Sequence, residues 1–244
     1  MASRSSSIPA LALAALFATA CGDDPLRGTE GQLGTLRFEY ATPDACAGCS
    51  LEREVLAGSL LDVDVHGVHP RVTFQVRSTA PKVAEFALTS RCRFIGHTGC
   101  RDSVAVSAKL AGDADLEVYD DWTGTVLDRI TVKVRDAASL ESSVRVTQGG
   151  ETSELVRGAD GVLQLAVDSE LEIRATARSA SGEALIATSA AIESAYEDEQ
   201  VVGPAARHPG QTAAEYARAK RPGITKVALL GGGAREDLVF HVVE

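Results

Sequence analysis

The residues able to do chemistry crowd the first half of the chain: Cys46, Cys49, Cys92 and Cys100, together with His66, His69 and His97. Cys46 and Cys49 form a C-x-x-C pair. In a reducing compartment, that pair plus two further cysteines would suit a tetrahedral zinc site, which takes four thiolate or imidazole ligands. A C-x-x-C can also act as a redox dithiol, but that chemistry sits on a βαβ scaffold, and no such pattern surrounds it here. In an oxidising compartment the same even count reads as two disulfides. Four cysteines allow three connectivities. The local pairs Cys46 with Cys49 and Cys92 with Cys100 are preferred, and a long-range pairing between the two groups is the alternative. A bridge closing the Cys92 to Cys100 loop contributes about 2 to 3 kcal/mol on the chain-entropy view.

The compartment therefore decides, and the N-terminus bears on it. Arg4 provides a positive start, and "IPALALAALFATA" from Ile8 to Ala20 is an apolar run too short to span a bilayer. Cys21 follows directly. Ala18 and Ala20 satisfy the small-x-small rule for signal cleavage, and the stretch "ATAC" also resembles a bacterial lipobox, with Ala18 where that motif usually has leucine. The resemblance implies that Cys21 becomes the acylated first residue of a lipoprotein and ties the chain to a membrane. The alternative is a secreted protein beginning with a free Cys21, a liability in an oxidising compartment. Residues 1–20 are thus expected to be a lipoprotein signal peptide. Residues 21–34, polar and glycine-rich, are expected to be a flexible tether.

Other polar groups carry weaker signals. His66 and His69 are three apart, so on one strand they face opposite ways, and they read as solvated loop histidines. Asp113, Asp115, Asp120 and Asp121 offer oxygens that calcium favours, but not at EF-hand spacing; a solvated turn is expected, as it is for "YEDE" at Tyr196 to Glu199. Trp122, the sole tryptophan, falls in a turn and is a candidate contact for a protein or glycan partner, packing against its own hairpin being the alternative. No GxSxG elbow or HExxH pair occurs, and "LLGGGARED" at Leu229 to Asp237 lacks the Lys-Ser/Thr of a phosphate-binding loop. A formal charge of −10 and 5% aromatic content argue against nucleic acid as a partner. A non-catalytic protein with no cofactor is expected.

The elements that must position these residues are strands. From Gly112 to Val134 two alternating runs flank "DDWTG", which reads as a hairpin with Leu116, Val118, Val126, Ile130, Val132 and Val134 inward. A second hairpin, Gly223 to Val243, repeats it. Upstream, Leu36, Phe38 and Tyr40, then Leu61, Val63 and Val65, then Val72, Phe74 and Val76 alternate at period two. The second half repeats this order, so "QTAAEYARAKR" reads as strand by its place in the repeat despite a helical intrinsic preference. The expectation is an all-β chain of two tandem β-sandwich domains, 35–137 and 138–244.

The pattern "VTFQVRSTAPKVAEF" followed by "AGDADLEVYDDWTGTVLDRITVKV", and again "EYARAKRPGITKVALL" ending in "LVFHVV", resembles the bacterial immunoglobulin-like modules of group 2, the invasin and intimin type. The resemblance rests on strand order and on Ser78, Pro81, Gly112 and Gly223, and it covers nearly all of the chain after residue 35. It implies immunoglobulin-like folds acting as spacers or in adhesion, with protein or carbohydrate contacts and no common active site. With "CGDD" at the start, the whole resembles a surface lipoprotein of a Gram-negative, myxobacterium-like cell, anchored in the envelope outside the cytoplasm. The alternative is an envelope metal-binding or redox protein using the cysteines and histidines of the first domain.

Overall fold

The computed structural model describes residues 28–42, 49–69, 71–90, 102–188, 191–206 and 214–244. Its first half contains β1 (Thr29–Glu30), β2 (Arg37–Tyr40), β3 (Cys49–Ser50), β4 (Val55–Leu56), β5 (Leu60–His66), β6 (Phe74–Ser78), β7 (Ala84–Ser90), β8 (Asp102–Ala108), β9 (Gly112–Asp120) and β10 (Val126–Arg135). The second half contains β11 (Ser139–Gln148), β12 (Glu151–Glu154), β13 (Val162–Ala166), β14 (Glu170–Arg178), β15 (Glu193–Tyr196), β16 (Val202–Pro204), β17 (Glu215–Ala219), β18 (Gly223–Gly231) and β19 (Ala234–Val243). No α-helix occurs among the described residues. The alanine-rich segment that could have been helical is β17, whose Ala217 and Ala219 are fully buried against β14 and β16. Burial on one face of a sheet outweighs the few tenths of a kcal/mol per residue at stake in helix propensity.

Period-two alternation places one side of each strand inward, and two sheets must then cover each other. In the first sandwich the order β1-β2-β5-β8-β7, with β3 also on β2, faces β4-β10-β9-β6. Phe38, Tyr40, Val63, Val104, Leu116, Val118 and Val132 fill the space between them. In the second, β12-β11-β14-β17-β16 faces β13-β19-β18-β15 over Leu163, Leu171, Ile173, Leu229, Leu238 and Phe240. The repeat is thus one of topology: β2-β5-β8-β7 answers to β11-β14-β17-β16, and β4-β10-β9-β6 to β13-β19-β18-β15. In each copy a short strand pairs in parallel with the last strand, β4 with β10 and β13 with β19.

Two glycines mark the repeat at atomic level. Gly112 and Gly223 open the penultimate strands with φ of +148° and +151°. A Cβ on Gly112 would lie 2.9 Å from Val83 Cγ2, and one on Gly223 would lie 3.0 Å from Val201 Cγ2. Both the backbone conformation and the valine pressed against it exclude a side chain.

The sandwiches are joined through residues 136–138 and interlock. Leu56, at the end of β4, is fully buried in the second core, and Ile186 of the second half is buried in the first. Leu56 N donates to Ile186 O at 2.8 Å, and Ile186 N donates to Glu54 O at 2.9 Å. Beside this bridge Arg135 bonds Glu54 Oε1 at 2.9 Å and Asp113 Oδ1 at 2.7 Å, while Ala137 N donates to Gly232 O at 2.8 Å. Because β10 leads from the Trp122 turn to this junction, the turn and the second sandwich lie at opposite ends of the first.

Part of the segment read as tether is folded. β1 pairs with β2, Gln32 N donates to Arg129 O at 2.8 Å, and Leu33 N donates to Asp128 Oδ1 at 2.8 Å. The glycines that suggested flexibility instead allow residues 28–36 to wrap closely on β10 and β2.

Candidate functional site

Trp122 lies in the turn between β9 and β10 and is 88% exposed, so it does not pack against its hairpin. The turn beneath it is held by its own polar groups. Asp120 Oδ1 accepts from Trp122 N and Thr123 N, both at 2.8 Å, and Gly124 N donates to Asp120 O at 2.8 Å. The Thr123 and Trp122 amides hold the Asp120 carboxyl below its usual range. Asp121 N ties the turn to the neighbouring loop through Thr73 O at 2.8 Å. A large amphipathic ring thus projects from a braced backbone.

The segment 31–36 meets the same end of the sandwich. Its organiser is Asp128, whose carboxylate is completely buried. It accepts from Leu33 N, Thr35 N, Leu36 N and Arg129 N, each at 2.8 Å, and from Thr35 Oγ1 at 3.0 Å. Burial pushes its pKa up, but these backbone donors outweigh that and leave it lowered. The register shifts between Val126 and Asp128, so Val126, expected inward, is only half-buried, and Asp128 takes a buried place in the alternation. Leu33, at the bend of this loop, is 52% exposed. The pole therefore carries two exposed apolar side chains, Leu33 and Trp122, while β1 runs toward it from Gly28, which lies set back along the sheet beside Phe38.

Glu39, Asp64 and His66 gather on the outer face of the β2-β5 pair. Glu39 and Asp64 are direct cross-strand partners, 2% and 3% exposed. His66 Nε2 is 3.3 Å from Glu39 Oε1, and Ser103 Oγ donates to Asp64 Oδ1 at 2.6 Å. Ligand atoms of the three lie within 4.8 Å of one another, and two carboxylates with an imidazole could hold a divalent cation. His66 is thus a strand residue grouped with carboxylates, whereas a solvated loop histidine was expected. His69 does match that expectation: it is exposed, and its Nδ1 accepts from Arg71 N at 3.2 Å.

Cys49 sits opposite Tyr40 in β3, is disulfide-bonded, and packs against the first core. Register puts it on the opposite sheet face from Glu39, whose partner is Ser50, so Cys49 does not join the His66 group. Cys21, Cys46, Cys92, Cys100 and His97 lie outside the described residues. The four aspartates near Trp122 are not one cluster: Asp113 pairs with Arg135, Asp115 accepts from Thr131 Oγ1 at 2.6 Å, and Asp120 serves the turn. Within "YEDE", Asp198 accepts from Gln200 N and pairs with Arg221, both at 2.9 Å. The glycines of "LLGGGARED" form the β18-β19 turn.

No protein-family model matches the chain, and a search of the curated proteins finds no significant match. Solved structures similar to it include domains 4 and 5 of the S-layer protein SbsC, at 14% identity and a TM-score of 0.28, covering 70% of this chain and 77% of that one. Domains 5-6 of SbsC match at 14% identity and TM-score 0.29, over 79% of this chain and 94% of that one. A C-terminal fragment of intimin, solved with the intimin-binding domain of its translocated receptor, matches at 7% identity and TM-score 0.29, over 77% and 61%. The all-β architecture of paired sandwiches stands on the strand orders given above.

Proposed function

We propose that the chain is a lipid-anchored protein of the cell envelope, acting outside the cytoplasm as a non-catalytic binding, adhesion or spacer module. The observation that carries this reading is the end-to-end order of the parts. The 31–36 bend lies at one pole of the first sandwich, with Gly28 beside Phe38 a short way along the same sheet, and the second sandwich is locked to the other pole through Leu56 and Ile186. A ten-residue strand such as β10 spans roughly 34 Å. Two sandwiches in line would hold the far end about 70 Å from an anchor at Cys21. The distal surfaces would meet a protein or glycan, and Cys46, Cys49, Cys92 and Cys100 would staple the first sandwich as disulfides.

The test is the intact mass of the protein purified from its native membrane, taken non-reduced after alkylation. An acylated chain beginning at Cys21, with four cysteines refractory to alkylation, is the expected result. An unacylated chain, or four alkylatable thiols, overturns the reading. A second reading, an envelope metal-binding protein, is favoured by the Glu39, Asp64 and His66 grouping. Stoichiometric metal retained through purification, and lost in His66→Ala, would put it first.

A further inference from the structure

We propose that the Trp122 pole is a membrane-docking surface, with the indole of Trp122 and the side chain of Leu33 seated in the headgroup region of the bilayer that holds Cys21. This rests on the lipid-anchor reading above. Three observations converge on it. First, the bend that follows β1 lies at this pole: Leu33, Thr35 and Leu36 are fastened to Asp128, near the Trp122 end of β10, and Gly28 is only two residues before the Glu30–Arg37 pair that leads into the bend. Only seven residue steps separate Cys21 from Gly28, a reach of about 25 Å at full extension. An anchored pole is therefore confined near the bilayer, so insertion too weak to act from solution would operate at the high effective concentration of a short tether.

Second, the exposed apolar groups at this pole are of the type that interfaces accept. Tryptophan combines a large apolar ring with an N–H that needs a polar partner, and it concentrates at the level of lipid headgroups. At 88% exposure Trp122 contributes nothing to the core, and Leu33 at 52% adds apolar surface on the loop fastened to Asp128 at the same end of the sandwich. Third, the backbone is already shaped. Asp120 fastens the turn and Asp128 the loop, so docking would order little that is not already ordered. Charge does not oppose it: exposed Arg71 and Arg129 offset Asp120 and Asp121, and the pole has no strong sign. Docking should therefore be nearly indifferent to anionic lipid and to salt. Its consequence is orientation, with the two-sandwich rod standing upright from its anchor.

Because the chain has one tryptophan, its fluorescence reports this residue alone. The acylated chain is incorporated into phosphatidylcholine vesicles with and without bromine on the acyl chains. The proposal expects a blue-shifted emission relative to the soluble chain, and quenching strongest with bromine near the headgroup. Emission unchanged from the soluble chain while the protein floats with the vesicles overturns it. A blue shift without bromolipid quenching also overturns it, since Trp122 would then be covered by protein. If native Cys21 proves unacylated, the lipoprotein reading fails separately. Docking is then judged with residues 1–20 replaced by a histidine tag held on nickel-chelating lipid, where absence of quenching counts against it and its presence supports it.

Discussion

Replacing Asp128 with asparagine keeps the side-chain shape but removes the charge and one acceptor oxygen. In the native protein Oδ1 accepts from Leu33 N and Arg129 N, and Oδ2 accepts from Thr35 N, Leu36 N and Thr35 Oγ1. Whichever way the amide turns, its NH2 group faces at least two N–H donors, which lose their acceptor in a buried place. A hydrogen bond to a charged group contributes about 1.5 to 3 kcal/mol, and an orphaned buried donor costs about 1 to 3. The terms are not additive, because the 31–36 loop can peel away and hydrate. We expect Asp128→Asn to lose about 3 to 5 kcal/mol of urea stability followed by far-UV circular dichroism. Amide exchange at Leu33, Thr35 and Leu36 should rise most. The pH dependence has a definite sign. The folded-state pKa of Asp128 is lowered, so its stabilisation is fully present above the unfolded value near 3.9 and is lost as pH falls from there through the folded value. Asp128→Asn should therefore flatten the acid limb below about pH 4. A variant within about 0.5 kcal/mol of the parent, with the acid limb intact, would refute the assignment of this carboxylate as the fastener of the N-terminal segment.

Three further outcomes follow from the packing. Leu56→Ala and Ile186→Ala should each cost about 2 to 5 kcal/mol, and together they should split one urea transition into two, because each removes a side chain buried in the other sandwich's core. Gly112→Ala and Gly223→Ala should each cost about 1 to 3 kcal/mol. The Gly112→Ala, Val83→Ala double variant should melt higher than the sum of the two single losses predicts, since it removes the valine that the new Cβ meets. Trp122→Ala, by contrast, should leave urea stability within about 0.5 kcal/mol of the parent, and a larger loss would mean that the ring packs where the structure exposes it.

Alternation made most strands legible. Leu61, Val63 and Val65, and Leu116 and Val118, are buried as period two requires, and Gly112 and Gly223 bracket the repeat. Place in that repeat also distinguished β17 from a helix where intrinsic propensity pointed the other way. Features that depend on long-range register were not legible. Nothing local says that Glu39 lies opposite Asp64, so the grouping with His66 emerges only once β2 pairs with β5. Leu56 and Ile186 read as ordinary apolar residues, and their exchange between cores depends on how the sandwiches abut. One missed signal was in plain view. Asp128 shares parity with Val126, Ile130, Val132 and Val134, and an acid in an inward register is found buried only where donors await it. The glycines of residues 28–34 suggest freedom on their own, and the acceptor that fixes that loop, Asp128, lies almost a hundred residues later in sequence.

Small-angle X-ray scattering on the processed chain reads out whether the two sandwiches form one rigid standoff. A single elongated particle with a maximum dimension of roughly 70 Å, plus whatever the segment before Gly28 adds, unchanged by salt, is expected. A profile that needs an ensemble of separations between two independently tumbling sandwiches would contradict it.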